Sequence, residues 1–471
     1  MLDSRKNSVI VGLAVAAALA AVFVNTAPRA KSGLYEHIRK AERYFEDEKY
    51  DRGIYYLHKA YEKASDSELI GEELAKGYLR YARYLSSRGE IDLAIEKAAM
   101  AYEMIPSSLP VMNDLAYYLS VRAVERSFRG DLSSAREDLD IASMLASGSK
   151  TIKTNISNYL FNRSIDARDR KDISTLLLVL KTSYTLKPRF ETMVFLGSVF
   201  YDIHELEKSL FYLNKALSLR PEDESVKESI ERAEKEILIK DKEKVLKTPD
   251  FEVIMYGEHG FDTDLLEEHL LEVYDGVGRD LDYYPPPGTK IIIYDEKDFR
   301  DIFLKQGTVL GIFDGNIRIA LKGGPLDMLA TGVIAHEYTH ALLSAITENK
   351  CPIWLHEGIA VYEQSKYFPI EFGNLQNALK KGVRLSLSDV EETFENMRDP
   401  VSLALAYESA HSAVLFILDE WGWPALREII QGLKEYGHFA NAFDEVFYIS
   451  VPVFEDMWNI FVREKIYEYE A

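Results

Sequence analysis

One cysteine, Cys351, is present among 471 residues. A single thiol excludes an intrachain disulfide framework and a cysteine-based metal site, so any bound metal must rest on histidine and carboxylate. Cys351 stands beside Pro352 and reads as a small buried residue rather than a nucleophile. Positive charge is also scarce: 56 Lys and Arg against 77 Asp and Glu give a formal net charge of −21. Phosphate binding needs a cationic footprint, so nucleic acid is excluded as a partner, and no basic patch is dense enough to override that balance. The hydrophobic fraction of 47% excludes a disordered chain.

Charge is missing altogether between Lys6 and Arg29, and Val9 to Val24 is apolar throughout. As a helix this run alone would cover about 24 Å, and with its uncharged flanks it is long enough to span a bilayer. No cysteine lies nearby, which excludes a lipoprotein anchor. Residues 1–30 are therefore expected to be an N-terminal transmembrane anchor, with the bulk of the chain extracytoplasmic. The other reading is a secretory signal cleaved near Ala18-Leu19-Ala20, which would make the protein secreted.

From about Leu34 to Ile239 strand-like alternation is missing and prolines are few, while alanines and aromatics recur at helical spacing. Small residues fall at Ala94, Ala98 and Ala101 before Pro106, a pattern that lets two antiparallel helices approach closely. The same frame fits Gly53, Leu57 and Ala60; Ala135, Leu139 and Ala142; and Ser209, Leu213 and Ala216 before Pro221. Leu176, Leu180 and Ser183 form a degenerate copy, and Gly197 with Phe200 holds the matching places on a first helix. This pattern resembles a tetratricopeptide-repeat array over roughly residues 34–222. Its anchor positions step by 41 residues and then by 33, where a repeat near 34 is usual, so longer helices or connections are expected. Residues 31–247 are expected to form this repeat domain, either a platform for a protein partner or substrate or a rigid spacer. The charged stretch from Pro221 to Leu246 reads as its last helix or a connector.

Beyond residue 248 the pattern changes. Strands are expected at Phe251–Tyr256 and Lys290–Tyr294, with a helix over Leu265–Arg279 and a turn at Pro285-Pro286-Pro287-Gly288. A short helix is expected near Asp298–Leu304, and a strand or hairpin at Gly311–Leu321 turning at Asp314-Gly315-Asn316. From Pro325 onward the pattern is helical, so residues 248–471 read as an α+β domain following an α-helical repeat solenoid.

Met328 to Ile346 carries His336-Glu337-Tyr338-Thr339-His340. On a helix the two histidines lie one turn apart on one face and can reach one metal, while Glu337 can reach a water beside it. A third ligand is needed. The continuation Ala341-Leu342-Leu343-Ser344 excludes a nearby third histidine. A short reversal between Thr347 and Pro352 would place a second helix alongside the first, and Trp354-Leu355-His356-Glu357-Gly358-Ile359-Ala360 then supplies Glu357. His356 is the runner-up on chemistry alone.

These two segments resemble the gluzincin metallopeptidases, especially peptidase-MA-like domains. The resemblance implies a thermolysin- or aminopeptidase-like fold over residues 248–466, one zinc ion held by His336, His340 and Glu357, and a peptide or protein substrate. Ala406-Tyr407-Glu408-Ser409-Ala410-His411 resembles the Tyr-Glu-Lys-Gly segment of aminopeptidase N, which implies an oxyanion-stabilising role for Tyr407. Ser409 and Ala410 depart from that pattern, and His411 is an alternative donor. In the implied mechanism zinc acidifies a water and polarises the scissile carbonyl, Glu337 carries the proton to the leaving amine, and Tyr407 or His411 stabilises the oxyanion. The strand around Asn316–Leu321 resembles the edge strand that pairs with extended substrate in such enzymes. Gly315-Asn316-Ile317-Arg318-Ile319 replaces an amine-anchoring Gly-X-Met-Glu-Asn segment, which favours endopeptidase action. A repeat scaffold with a vestigial peptidase domain is the alternative reading; Glu337 argues against it, since a relic has no need of the base. Hydrolysis of a non-peptide bond is a third.

Overall fold

The structure, a computed structural model, describes residues 28–257, 262–285, 288–303, 310–321, 328–396, 399–436 and 439–467. The apolar run at 9–24 and the candidate cleavage site lie outside the described residues, as do Pro286 and Pro287 of the expected turn. The chain divides into two compact units, Met1–Leu196 and Gly197–Ala471.

In the first unit, helices pair in order: α1 (Pro28–Glu46) with α2 (Tyr50–Lys63), α3 (Glu68–Ser87) with α4 (Ile91–Met104), α5 (Leu109–Phe128) with α6 (Leu132–Ala146), and α7 (Lys150–Asp169) with α8 (Ile173–Leu186). The small-residue frame marks the contact surface of each second helix. Gly53, Leu57 and Ala60 on α2, and their counterparts on α4, α6 and α8, are all buried. A Cβ on Gly53 would come 2.5 Å from the Phe45 ring, so α1 and α2 can approach this closely only at glycine. The 41-residue step has a simple origin. First helices α3, α5 and α7 hold 20 residues each, whereas α9 (Phe190–Asp202) holds 13, and the shorter step falls there. Two extra turns on one helix account for the difference. The bend between paired helices recurs at the same period, with left-handed backbone at Glu48, Gly89, Gly130 and Lys171.

In the second unit the end of α9 is followed by α10 (Leu206–Leu219) and α11 (Glu224–Ile239). Gly197 lets α9 meet α10, since a Cβ there would come 2.6 Å from the Leu213 side chain. The stretch read as helical to Leu246 ends at Ile239, and Glu243–Lys247 instead forms strand β1. Its sequence Glu-Lys-Val-Leu-Lys belongs to an exposed sheet edge, where one face carries no apolar signal. Then follow β2 (Phe251–Tyr256), α12 (Thr263–Leu281), β3 (Thr289–Asp295), α13 (Glu296–Phe303), β4 (Gly311–Phe313) and β5 (Ile317–Leu321). The strand order is β1-β2-β3-β5-β4, with β2, β3 and β5 parallel and both outer strands antiparallel.

Both faces of this sheet are covered, which explains why β5 is buried along its whole length. Val253, Ile291, Ile317 and Ile319 pack with α12 and with α14 (Met328–Thr347). Ile254, Ile292, Tyr294 and Ala320 face the other way, toward Ile239 at the end of α11 and Phe299 on α13. The segment Asn316–Leu321, expected to be an edge strand, is thus interior; the edge is β4. Beyond α14 the unit is helical: α15 (Ile353–Ser365), α16 (Gly373–Lys380), α17 (Leu387–Asn396), α18 (Pro400–Glu420), α19 (Gly422–Tyr436), α20 (Phe439–Phe447) and α21 (Val451–Val462). The N-terminal region is a helical repeat solenoid, and a small mixed sheet with helices follows it. Among the described helices α18 alone is long and apolar enough to cross a membrane, but 56% of its most apolar window is buried within the protein. It is a core helix here, packed against α15.

Candidate active site

The helix α14 carries a run of apolar and small residues whose Ala335, Tyr338 and Leu342 sink into the core beneath the sheet, with Tyr338 edge-on to Phe251 at 5.4 Å. This fixes its rotation and aims His336, Glu337 and His340 the other way. The chain then reverses through Glu348 and Asn349, both in left-handed backbone, the reversal expected between Thr347 and Pro352. Helix α15 begins at once. Both carboxylate oxygens of Glu391 on α17 accept its first free amides, from Ile353 at 2.9 Å and Trp354 at 2.8 Å. A bidentate carboxylate at a helix start satisfies orphan donors and complements the helix dipole.

So positioned, α15 brings Glu357 to the two histidines. His336 Nε2 and His340 Nε2 are 3.0 Å apart, and Glu357 Oε2 lies 3.5 Å from each. Donors around a four-coordinate zinc with bonds near 2.05 Å are separated by about 3.3 Å. The three atoms therefore already form the triangle that a small tetrahedral cation requires. They are the one His/Cys/Asp/Glu group suited to a metal among the described residues. Electrostatics reflects the same convergence. Burial would push the Glu357 carboxyl up, but hydrogen bonds and charge from both imidazoles outweigh it and hold the group well below the usual carboxylate range. Burial opposes a proton on His336, yet Glu357 and Glu337 together raise its affinity for one.

Glu337 is buried beside this triangle, and burial pushes its carboxyl up against the pull of His336 and His340. Strand β4 runs directly over it. A Cβ on Gly311 would stand 2.5 Å from Glu337 Oε1, so the strand reaches the carboxylate only because that residue is glycine. His356, the runner-up ligand, does not join the triangle. It stacks on the His340 ring at 4.5 Å, its Nε2 faces Ser344 Oγ at 3.4 Å, and burial presses its pKa down to about 3. It is a neutral ring that backs His340.

On α18, Tyr407 packs edge-on against Phe394 at 5.0 Å. Burial raises its hydroxyl pKa, and the charges of Glu357 and Glu337 raise it further, so the group keeps its proton. His411 is one turn on, buried, stacked on Phe372 at 5.2 Å and beside Tyr362; neither site carboxylate acts on it. Glu408 between them accepts from Asn374 Nδ2 at 2.6 Å and the Leu375 amide at 2.8 Å, which ties α16 to α18. Gly358 sets the closeness of α15 and α18: a Cβ there would come 2.6 Å from the Ala410 carbonyl oxygen.

One contributor has no signal in the motifs. Gln364, two turns beyond Glu357 on the same helix, presents Oε1 to His336 Nδ1 at 3.0 Å. It fixes the ring so that Nε2 faces the triangle; such outer partners typically carry 10- to 100-fold of metal affinity. Gln364→Ala is expected to weaken zinc binding by about that factor, read by competition with a fluorescent chelator, while the melting temperature stays within a few degrees. Its only sequence cue is the i, i+7 spacing from Glu357.

The family model of the Peptidase MA superfamily matches residues 305–464, a span that holds β4, β5, α14, α15 and α18. Residues 305–464 are a Peptidase MA superfamily domain. Solved structures similar to the chain include a thermophilic TPR protein in Thermus thermophilus, at 16% identity and TM-score 0.19, covering 42% of this chain and 98% of that one. Another is Naa15/Naa10 bound to HypK-THB, at 12% identity and TM-score 0.19, covering 93% of this chain and 67% of that one. No curated protein matches the chain. The matched span contains His336, Glu337, His340, Glu357 and Tyr407, so the superfamily match and the converging donors concern the same part of the chain.

Proposed function

We propose that the protein is a zinc-dependent peptidase of gluzincin type, carried on helical repeats and tethered to a membrane by the apolar segment at 9–24 with its bulk extracytoplasmic. The observation that carries this reading is the triangle of His336 Nε2, His340 Nε2 and Glu357 Oε2, with Glu337 buried at its side. Two imidazoles and a carboxylate with no cysteine suit zinc, and three protein donors leave a position open for water or substrate. Zinc bound there would supply Lewis acidity and bring a water to near-neutral acidity.

The chain's own residues do the rest. Glu337 takes a proton from the attacking water and delivers it to the leaving amine, a task suited to a carboxylate whose proton affinity is raised by burial. Tyr407 keeps its hydroxyl proton and donates to the oxyanion as the carbonyl carbon becomes tetrahedral. The edge strand β4 offers backbone groups to an extended peptide beside Glu337. Gly315-Asn316-Ile317-Arg318-Ile319 in place of an amine-anchoring segment favours endopeptidase action, and the repeats are the surface for a protein partner or a protein substrate.

The deciding experiment is metal content and cleavage together. Purified protein should carry one zinc per chain by elemental analysis and cut casein or members of a peptide library; a chelator should abolish cutting and added zinc restore it. Stoichiometric zinc with no cleavage across a broad panel would sink the peptidase reading.

A further inference from the structure

The hairpin β4–β5 is held from the face of the sheet that looks away from the site. Arg318 of β5 is fully buried there. Its Nη1 donates to Glu236 Oε1 at 3.0 Å and to the Tyr294 hydroxyl at 2.5 Å, and its Nε donates to Asp314 Oδ2 at 2.9 Å. The guanidinium lies over the Tyr201 ring at 4.8 Å, and the Tyr201 hydroxyl donates in turn to Glu236. At the hairpin tip Asn316 Nδ2 donates to the Asp202 carbonyl at 2.9 Å. Glu236 is on α11, while Tyr201 and Asp202 are at the end of α9. Asp314, Asn316 and Arg318 are therefore all gripped, directly or through one another, by helices outside the superfamily-matched span.

An apolar side chain could cover this face as Ile292 does on the adjacent strand. A buried ion pair is poor value for stability alone, but it is directional. What it directs is register. Gly311 pairs with Ile319 and Ile312 with Arg318, so Gly311 faces Glu337 while Ile312 faces the opposite layer. A slip by one residue would reverse every side chain in the hairpin and turn Ile312 onto Glu337.

We propose that Glu236, acting through Arg318, is a positioning residue for catalysis: it holds the β4–β5 hairpin in the register that seats an extended substrate beside Glu337. This rests on the peptidase reading for its substrate, although the hold on the hairpin does not. The helix α11 is then part of the enzyme, although it lies outside the superfamily-matched span.

The test uses the zinc-loaded full chain and two variants, Glu236→Gln, isosteric and uncharged, and Asp314→Asn at the half-exposed hairpin turn. Amide exchange of residues 310–321 is compared with that of α14, beside zinc content and steady-state cleavage of an octapeptide and of a short reporter that leaves β4 uncovered. In both variants hairpin exchange should rise about tenfold while α14 exchange and zinc stoichiometry hold. KM for the octapeptide should rise by about tenfold with kcat little changed, and the short reporter should be spared. Unchanged hairpin exchange in both variants overturns the proposal, as does equal loss on both substrates or exchange rising together in α14 with zinc lost. If the wild-type chain cleaves neither substrate, the peptidase reading fails, and hairpin exchange still decides whether Glu236 holds the strand.

Discussion

Glu337→Gln is expected to leave a folded protein with one zinc per chain and to lower peptide cleavage by about 100- to 10,000-fold, the span that a positioned general base commands. The substitution keeps the side chain's shape against Gly311, where no larger group fits, and removes only the ability to take up a proton. It also relieves burial of a carboxylate beside Glu357, so the variant should be no less stable than the parent. The loss belongs in kcat, because Glu337 is not one of the three converging donors and has no part in holding an extended substrate. Paired measurement of zinc content and kcat decides it. Retained activity would remove Glu337 from the mechanism, whereas joint loss of zinc and activity would make it a structural support of the metal site.

Gly358→Ala should act through packing, at the residue beside Glu357. The added methyl would stand 2.6 Å from the Ala410 carbonyl oxygen and 2.8 Å from Val414 Cγ2. The first of these is backbone in the middle of α18 and cannot rotate aside. Overpacking of this kind costs about 1–3 kcal/mol, a fall in melting temperature of roughly 2–10 °C for a unit of this size. Separating α15 from α18 also moves Glu357 relative to His336 and His340, so zinc affinity should fall by about tenfold or more. Adding Val414→Ala removes only the softer collision and should not restore either quantity. Calorimetry with and without saturating zinc reads both effects; an unshifted melting curve would show that the two helices can part freely.

What could be read from the sequence was what local periodicity determines. His336 and His340 need only one helical turn to meet, and Glu357 needs only a short reversal after Thr347, so both follow from spacing along neighbouring helices. The repeat frame is legible for the same reason: alanines at Ala94, Ala98 and Ala101 mark a helix contact whatever lies beyond it. Gln364 and Gly311 were hidden because their meaning depends on partners brought close by tertiary packing. Strand β1 was read as helix because a charged edge strand carries no half-buried alternation. The edge expected at Asn316–Leu321 rests on resemblance to a substrate-pairing strand, and nothing in that segment announces that Arg318 is buried against Glu236, 82 positions earlier. Long-range pairing of polar groups leaves no trace in a local window, and that is where the expectations and the structure part.

The doubly covered sheet has a bearing on inheritance. A layer made of α11 and α13 closes the face that carries Ile254, Ile292, Tyr294 and the Arg318 charge. Were a gene rearrangement to move only the stretch from β2 onward into another protein, that face would be bare, with a guanidinium and two tyrosines open on a sheet made to be interior. Such a fusion would be prone to aggregate before it could be selected for anything. A fragment that keeps this face covered must therefore start back at α9, because Tyr201, Asp202 and Glu236 all reach the hairpin from α9 and α11.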